Sequence, residues 1–250
     1  MRQLRKLGHL TGYRLLARDG EIGRLRQIYF DDEQWVVRYF VVHTGSWLLG
    51  QDVLIVPSVV SAIDEDNAHL EVDLLREQIK NCPPVNTAVP VSRHYETEYY
   101  RYYGWQPYWG ADPVFGPTPI LPLPLDASAP DQPEQPKQPE NPHLRSSDEV
   151  AHYHIHAQNG DIGHVKDFIL EDQDWTVRYL EINTRNWLPG KDVLIAPAWI
   201  AAINWESRAV SVELTREAIQ SAPAYDDTML ISRDYQIALY QHYGKTFDQE

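Results

Sequence analysis

The chain has little cysteine and methionine, with one cysteine, Cys82, and two methionines among its 250 residues. A single cysteine excludes an internal disulfide and fits a reduced compartment, so we expect a cytoplasmic protein. The sequence also lacks a run of about 18 apolar residues, the length that a transmembrane helix needs. The basic start, residues 1–10, has no apolar stretch behind it, which argues against a signal peptide. We therefore expect no membrane insertion.

Positive charge is also scarce. The chain has 22 Lys and Arg residues against 36 Asp and Glu residues, which gives a formal net charge of −14 and a pI of about 5.1. Proteins that bind nucleic acids usually carry a basic patch, because neutralising phosphates supplies most of the affinity. We therefore expect no nucleic-acid partner, and a partner surface would more naturally be basic.

The chain does contain a long internal repeat. Residues 20–104 reappear at 160–244 without an insertion or deletion; for example, Trp-Val-Val-Arg-Tyr at 35–39 returns as Trp-Thr-Val-Arg-Tyr at 175–179. About 31 of about 85 aligned positions are identical, and the period is too long for one unit of a solenoid. The repeat predicts two copies of one domain, which we expect to pack as a pseudo-twofold pair because each carries the same surface.

Each copy is predicted to consist of short β-strands. An Asp-Gly pair at 19–20 and an Asn-Gly pair at 159–160 favour the tight turn of a hairpin. Residues 35–42 and 175–182 are rich in β-branched and aromatic side chains, which suits strands in a sheet. The pattern predicts a mainly β fold with short α-helices: two tandem small antiparallel β-barrels, each followed by one or two short helices.

A proline-rich segment separates the two copies. Proline has a fixed φ and no N–H, so this segment favours an extended chain. We therefore divide the chain into a first domain at 1–104, a connector at 105–150 and a second domain at 151–250. The start of the connector, 105–125, carries aromatic residues and is expected to pack on a barrel. Its polar remainder, about 126–147, is expected to be a mobile linker.

Three motifs recur in both copies. In the first copy they are Asp-Gly-Glu-Ile-Gly at 19–23, Trp-Val-Val-Arg-Tyr at 35–39 and Val-Leu-Ile-Val-Pro at 53–57. With an acidic turn between the first two, they resemble the PRC-barrel domain family, over about half of the chain. This family includes the barrel of the photosynthetic reaction centre H subunit and the C-terminal barrel of the ribosome-maturation factor RimM. The resemblance implies a six-stranded β-barrel used for docking or assembly, and it carries no catalytic residue.

The most aromatic stretch of the chain is a predicted helix that Ser92 caps at its start and Gly104 at its end. Tyr and Trp are frequent in interfaces because they bury a large area with few rotamers. The sequence leaves open the alternative that these rings pack the helix on its own barrel or on the other copy. The candidate partner-binding residues are Tyr95, Tyr99, Tyr102, Tyr103, Trp105 and Trp109.

Three alternating histidines, His152, His154 and His156, open the second copy. On one strand they would project from the same face, a geometry that can bind zinc or nickel. The first copy has no histidine at the matching positions, so the other interpretation is an exposed strand face. We assign no metal site to them and keep them as weak candidates.

Asp52 and Asp192 are matched carboxylates, one in each copy. A catalytic pair must converge on one site, and these residues belong to separate copies. We therefore expect a structural role for them, with Arg38 and Arg178 as their ion-pair partners.

These observations predict a non-enzymatic protein-interaction or scaffold module built from a duplicated PRC-barrel. The expected partner is another protein or a second copy of the chain, and no cofactor is expected. The alternative is a sensor-type protein that binds a small ligand or a metal through the histidine strand or the cleft between the domains.

Overall fold

The computed structural model describes residues 3–87, 90–109, 143–184 and 190–247. Over these ranges the protein is mainly β with short α-helices, as predicted, and contains two seven-stranded sheets. None of the helices in the described ranges combines the length and the apolar character that crossing a bilayer requires. Most of the proline-rich connector lies outside the described residues.

The first copy consists mainly of β-strands and ends in two helices. Its elements are β1 (Leu4–Lys6), α1 (Leu7–Leu10), β2 (Arg14–Ala17), β3 (Gly20–Asp31), β4 (Val36–Thr44), β5 (Asp52–Ile55), β6 (Val60–Asp64), β7 (His69–Val72), α2 (Arg76–Lys80) and α3 (Arg93–Tyr103).

The second copy repeats this order element by element. Its elements are β8 (Leu144–Ser146), α4 (Ser147–Val150), β9 (His154–Ala157), β10 (Gly160–Glu171), β11 (Val177–Asn183), β12 (Asp192–Ile195), β13 (Ile200–Asn204), β14 (Ala209–Val212), α5 (Arg216–Ser221) and α6 (Arg233–His242). The segment 144–150, which was predicted to belong to the connector, therefore forms a strand and a helical turn.

The prediction of closed antiparallel barrels is wrong in two respects. The strand order of the first sheet is β5-β4-β3-β2-β7-β6, and among the described residues its two end strands, β5 and β6, do not pair with each other. The second sheet follows the same open path, β12-β11-β10-β9-β14-β13. In addition, β2 pairs with β7 in parallel, as β9 does with β14, so each sheet is mixed.

Local signals in the sequence explain several of these elements. The hydroxyl of Ser92 accepts the amide of Tyr95 at 3.2 Å, and Gly104 ends α3 with a φ of 69°, so both predicted caps are confirmed. Gly23 lies so close to the carbonyl of His43 on β4 that a Cβ atom would collide with the backbone. The second glycine of the Asp-Gly-Glu-Ile-Gly motif thus permits close pairing of β3 and β4.

The short strand that opens each copy pairs with the sheet of the other copy. We call residues 4–10 and 144–150 the leading segments. In the first, β1 runs antiparallel to β10, with Leu4 opposite Glu171; in the second, β8 runs antiparallel to β3, with Leu144 opposite Asp31. The two copies therefore exchange equivalent strands, and this reciprocal geometry joins the two sheets into one assembly.

A symmetric hydrogen-bonded bridge also joins the copies. The amide of Val37 donates to the carbonyl of Trp175 at 2.9 Å, and the amide of Val177 donates to the carbonyl of Trp35 at 2.7 Å. One cluster of buried apolar side chains extends through both copies, and the rings of Phe40 and Trp175 meet in it edge to face at 4.7 Å. The expected pseudo-twofold packing agrees with these contacts.

Candidate functional site: two matched clefts between the copies

The two copies enclose a pair of clefts at equivalent positions. The first cleft encloses about 470 Å³ between β6 of the first copy and the acidic turn of the second, and the second cleft encloses about 440 Å³ between β13 and the acidic turn of the first copy. Nine residues that line the first cleft have counterparts at the repeat spacing in the lining of the second, among them Arg5 and Arg145, Val60 and Ile200, Ile63 and Ile203, Asp172 and Asp32, and Trp175 and Trp35.

An arginine from each leading segment closes one end of its cleft. In the first cleft, Nε of Arg5 lies 2.9 Å from Oδ2 of Asp172, and the same guanidinium contacts Glu65 at the turn after β6. Both members of the Arg5–Asp172 pair are largely buried, with side chains 12% and 14% exposed. Through its contacts with Asp172 and Glu65, Arg5 therefore joins three segments from the two copies.

The second cleft has the same arginine but a different neighbour. Nε of Arg145 lies 2.8 Å from Oδ2 of Asp32, and its guanidinium lies 3.8 Å above the ring of Trp205. Trp205 occupies the position of Glu65 in the first copy. The second cleft thus has a cation–π contact where the first has a carboxylate, so the two clefts share a shape and differ at one end.

An unusual backbone conformation holds a tryptophan at the junction of the two copies beside each cleft. Trp35 and Trp175 have φ values of 56° and 58°, in the left-handed region that a bulky side chain seldom adopts. The amide of Trp35 donates to the backbone carbonyl of Asp31 at 2.7 Å, and that of Trp175 donates to the backbone carbonyl of Glu171 at 2.8 Å, so a tight turn fixes each residue. Both positions have the same strained backbone conformation, so the turn is part of the repeated architecture.

The aromatic helix α3 packs mainly on its own copy. Tyr99 is fully buried, and its hydroxyl donates to the carbonyl of Leu54 on β5 at 2.8 Å. Tyr95 is half-buried, and its hydroxyl donates to the carbonyl of Pro83. The rings of Tyr103 and Trp105 stack at 4.3 Å.

The other two members of the candidate set, Trp109 and Tyr102, differ in exposure. Trp109 is half-buried, and its ring lies 4.2 Å below the guanidinium of Arg93. Tyr102 is 40% exposed, the largest exposure in this set. The structure thus brings the six residues together as one aromatic cluster but leaves only Tyr102 broadly accessible.

A buried carboxylate lies beneath this cluster. Glu96 is fully buried, accepts hydrogen bonds from the hydroxyls of Tyr39 and Tyr108 at 2.9 Å each, and pairs with Arg93 at 3.2 Å. Burial and the nearby Glu96 carboxylate raise the pKa of Tyr39 well above its ordinary range. In the second copy Gln236 takes the place of Glu96 and accepts the hydroxyl of Tyr179 at 3.0 Å.

The three candidate histidines do not share one strand face. β9 begins at His154, whereas His152 precedes it with a φ of 76° and stacks near His164 at 6.2 Å between ring centroids. His156 instead contacts Asp161 across the hairpin. In the parts of the chain that the structure describes, no group of three or more His, Cys, Asp or Glu side chains is arranged to hold a metal.

The matched aspartates have separate partners. Asp52 accepts hydrogen bonds from His43 at 2.9 Å and Thr87 at 2.8 Å; burial opposes its charge, but these bonds prevail and lower its pKa. Asp192 pairs with Lys166 at 2.7 Å.

The predicted pairing of these aspartates with the matched arginines is wrong. Arg38 pairs with Asp31, and Arg178 pairs with Glu171 and Asp174, because each arginine faces the neighbouring strand and turn of its own hairpin.

Comparison of the chain with models of protein families and with curated proteins gives no match. The assignment to the PRC-barrel family therefore remains a prediction from the motifs.

The sequence indicated a cleft between the domains only as an alternative ligand site. It did not predict two matched clefts or the residues that line them, because both depend on the exchange of the leading segments. One signal was present: Leu4-Arg5 returns as Leu144-Arg145 at the spacing of the main repeat, outside the aligned range. These are the residues that begin each exchanged strand and close each cleft.

Proposed function

We propose that this protein is a non-enzymatic protein-interaction scaffold built from two PRC-barrel-like copies, and that it binds its partner through the matched clefts. The observation that carries the proposal is the reciprocal pair Arg5–Asp172 and Arg145–Asp32, which fixes two equivalent clefts in one chain. A rigid pair of matched surfaces is suited to holding a partner in one orientation, or to holding two copies of it.

The composition of the clefts supports this role. Tryptophan and arginine are enriched among the residues that dominate binding energy in interfaces, and each cleft holds both. The half-buried aliphatic residues of β6 and β13 add apolar surface beside them. The aromatic helix of the first copy is the less suitable surface, because Tyr99 is fully buried and most of its neighbours contact one another.

The repeated motifs carry the PRC-barrel-like part of the proposal, and the glycine that ends the first motif, Gly23 or Gly163, packs closely against the neighbouring strand in each copy. The open path of each sheet is a departure from the closed barrel that the resemblance implies.

Photo-crosslinking in cells that naturally express the protein tests the proposal. A photoreactive phenylalanine derivative would replace Ser61 in the first cleft or Ala201 in the second, both of which are exposed. Matched controls would carry it at Glu98 and Gln241, exposed positions that line neither cleft. We expect the same protein to be crosslinked from both clefts and from neither control. Equal labelling at the cleft and control positions would contradict the proposal.

A further inference from the structure

Each cleft lies beside the last strand of a sheet. β6 and β13 end the two strand paths, and among the described residues no strand pairs with their outer edges. The middle of each edge has small, uncharged and exposed side chains, Ser61 and Ala62 in one and Ala201 and Ala202 in the other. Natural sheets usually protect an edge with charge, proline or a cover, so an unprotected edge is a template for another strand.

Both edge strands are five residues long, and both carry a β-bulge, a feature that can protect an edge. The pairing of β6 with β7 shifts between Val60 and Ala62, and that of β13 with β14 shifts between Ile200 and Ala202. The three residues after each bulge, 62–64 and 202–204, regain regular register with the partner strand. A short added strand can therefore pair along this half of each edge.

The space beside each edge suits an extended backbone with apolar side chains. Val60 and Ile63 are half-buried on the first cleft, as are Ile200 and Ile203 on the second. An added strand places alternate side chains on one face. Those facing the cleft would cover these aliphatic residues.

The charge at the clefts favours a basic strand. Each arginine is already paired, Arg5 with Asp172 and Glu65 and Arg145 with Asp32. Each arginine is nevertheless outnumbered by two carboxylates, Asp172 and Glu65 at the first cleft and Asp32 and Glu33 at the second. The carboxylates at the rims, Glu65 and Glu33, are the more exposed, with 56% and 66% side-chain exposure. The net charge of −14 adds a long-range attraction for basic segments.

We infer that each cleft binds an extended, basic peptide segment of the partner, which adds to β6 or β13 as a further strand. Main-chain hydrogen bonds to the edge provide binding. The half-buried aliphatic residues of the cleft select apolar side chains on one face of the added strand. The carboxylates at the rim select lysine or arginine on its other face. This inference rests on the proposed scaffold function and specifies the kind of segment that the scaffold holds.

Three synthetic peptides test the inference with the full-length protein. The first, about ten residues of alternating lysine and valine, is long enough to span an edge strand. The second has the same sequence but is N-methylated at alternate residues on one edge of its backbone, and the third replaces lysine with glutamate. Fluorescence anisotropy in about 0.15 M salt gives their affinities, and amide hydrogen exchange shows where the first one binds.

We expect the N-methylated peptide, with the methyl groups on the pairing edge, to bind at least about tenfold more weakly than the first, because several main-chain hydrogen bonds are lost. The glutamate peptide should not bind detectably. Amide exchange should slow at both 60–64 and 200–204. Equal affinity of the N-methylated and the unmodified peptide, or slower exchange at only one edge or at neither, would overturn the inference.

The protein itself is unchanged in this comparison, so misfolding cannot explain the result. A partner crosslinked from both clefts, combined with equal binding of the methylated peptide, would leave the scaffold function intact and reject strand addition. A failure of crosslinking at the clefts would instead reject the scaffold function on which the inference rests.

Discussion

The guanidinium of Arg5 lies 2.9 Å from the carboxylate of Asp172, although the two residues belong to different copies of the repeat. The backbone reinforces this contact, since the amide and carbonyl of Gln3 each pair with Asp172 at 3.0 Å. The equivalent pair, Arg145 and Asp32, lies at the second cleft with a separation of 2.8 Å. The exchange of leading segments is thus fixed by charge as well as by strand pairing.

The first prediction concerns the substitution Arg5→Ala. It leaves the largely buried Asp172 without its charged partner, so we expect the free energy of unfolding to fall by about 1.5–3 kcal/mol. Urea denaturation measures the loss. Arg14→Ala is the matched control, because its ion pair with Glu21 spans 3.9 Å between exposed side chains and should contribute less than about 1 kcal/mol. Equal losses in the two variants would show that the Arg5–Asp172 pair does not secure the leading segment.

The second prediction concerns the substitution Gly23→Ala. A methyl group there collides with the backbone carbonyl of His43, so β3 and β4 must separate locally. We expect a destabilisation of about 1–3 kcal/mol, in the range of other overpacking substitutions. Gly45→Ala is the control, because Gly45 has a φ of −71° and no atom within 4 Å of an added Cβ. Thermal unfolding of both variants distinguishes them, and a neutral Gly23→Ala would refute the close-packing role.

The sequence predicted the features that depend on a few neighbouring residues. Ser92 and Gly104 specify the ends of α3 through local geometry, and the hydrophobic pattern of 35–42 largely matches β4. Pairing between distant segments was not predictable in the same way. β1 and β8 are each three residues long, too short for a periodic signal, and their partners lie in the other copy.

The same difference between local and long-range features applies to the candidate site. The aromatic side chains of α3 lie in one cluster, but the sequence left open whether they face solvent or the core. Tyr99 is buried because it points at β5, whereas Tyr102, three residues later, is exposed. Their different exposure depends on the position of the helix on its sheet, which is a tertiary property.

The third prediction concerns the buried carboxylate of Glu96. Glu96→Ala leaves the hydroxyls of Tyr39 and Tyr108 without this acceptor and removes the partner of Arg93, so we expect a loss of about 3–5 kcal/mol. Glu96→Gln reproduces the second copy, where Gln236 accepts the hydroxyl of Tyr179, and should cost about 1 kcal/mol. Chemical denaturation gives both values. If the two variants were equally unstable, the charge of Glu96 would matter more than its role as an acceptor.

The last prediction concerns alkaline pH and the leading segment of the first copy. Glu181 is fully buried, and its two oxygens lie 2.7 Å from Nζ of Lys6 and 2.6 Å from Nζ of Lys166. Burial opposes the charge of Lys6, but hydrogen bonds to Asp227 and Glu181 prevail and raise its pKa above the ordinary value of 10.5; the pKa of Lys166 is raised in the same way.

A raised folded-state pKa means that the stabilisation is fully present below the unfolded-state value of 10.5 and is lost as the pH rises through the folded-state value. We therefore expect the midpoint of urea unfolding to fall above about pH 10.5 in the wild type. The fall should be smaller in Lys6→Met, which keeps the length of the side chain and removes one titrating amine. At the other exchanged strand, Ser146 of the second copy and Val41 of the first occupy the positions of Lys6 and Glu181, so this dependence belongs to one of the two exchanged strands. An identical alkaline profile in the variant would show that Lys6 does not couple the first leading segment to the second copy.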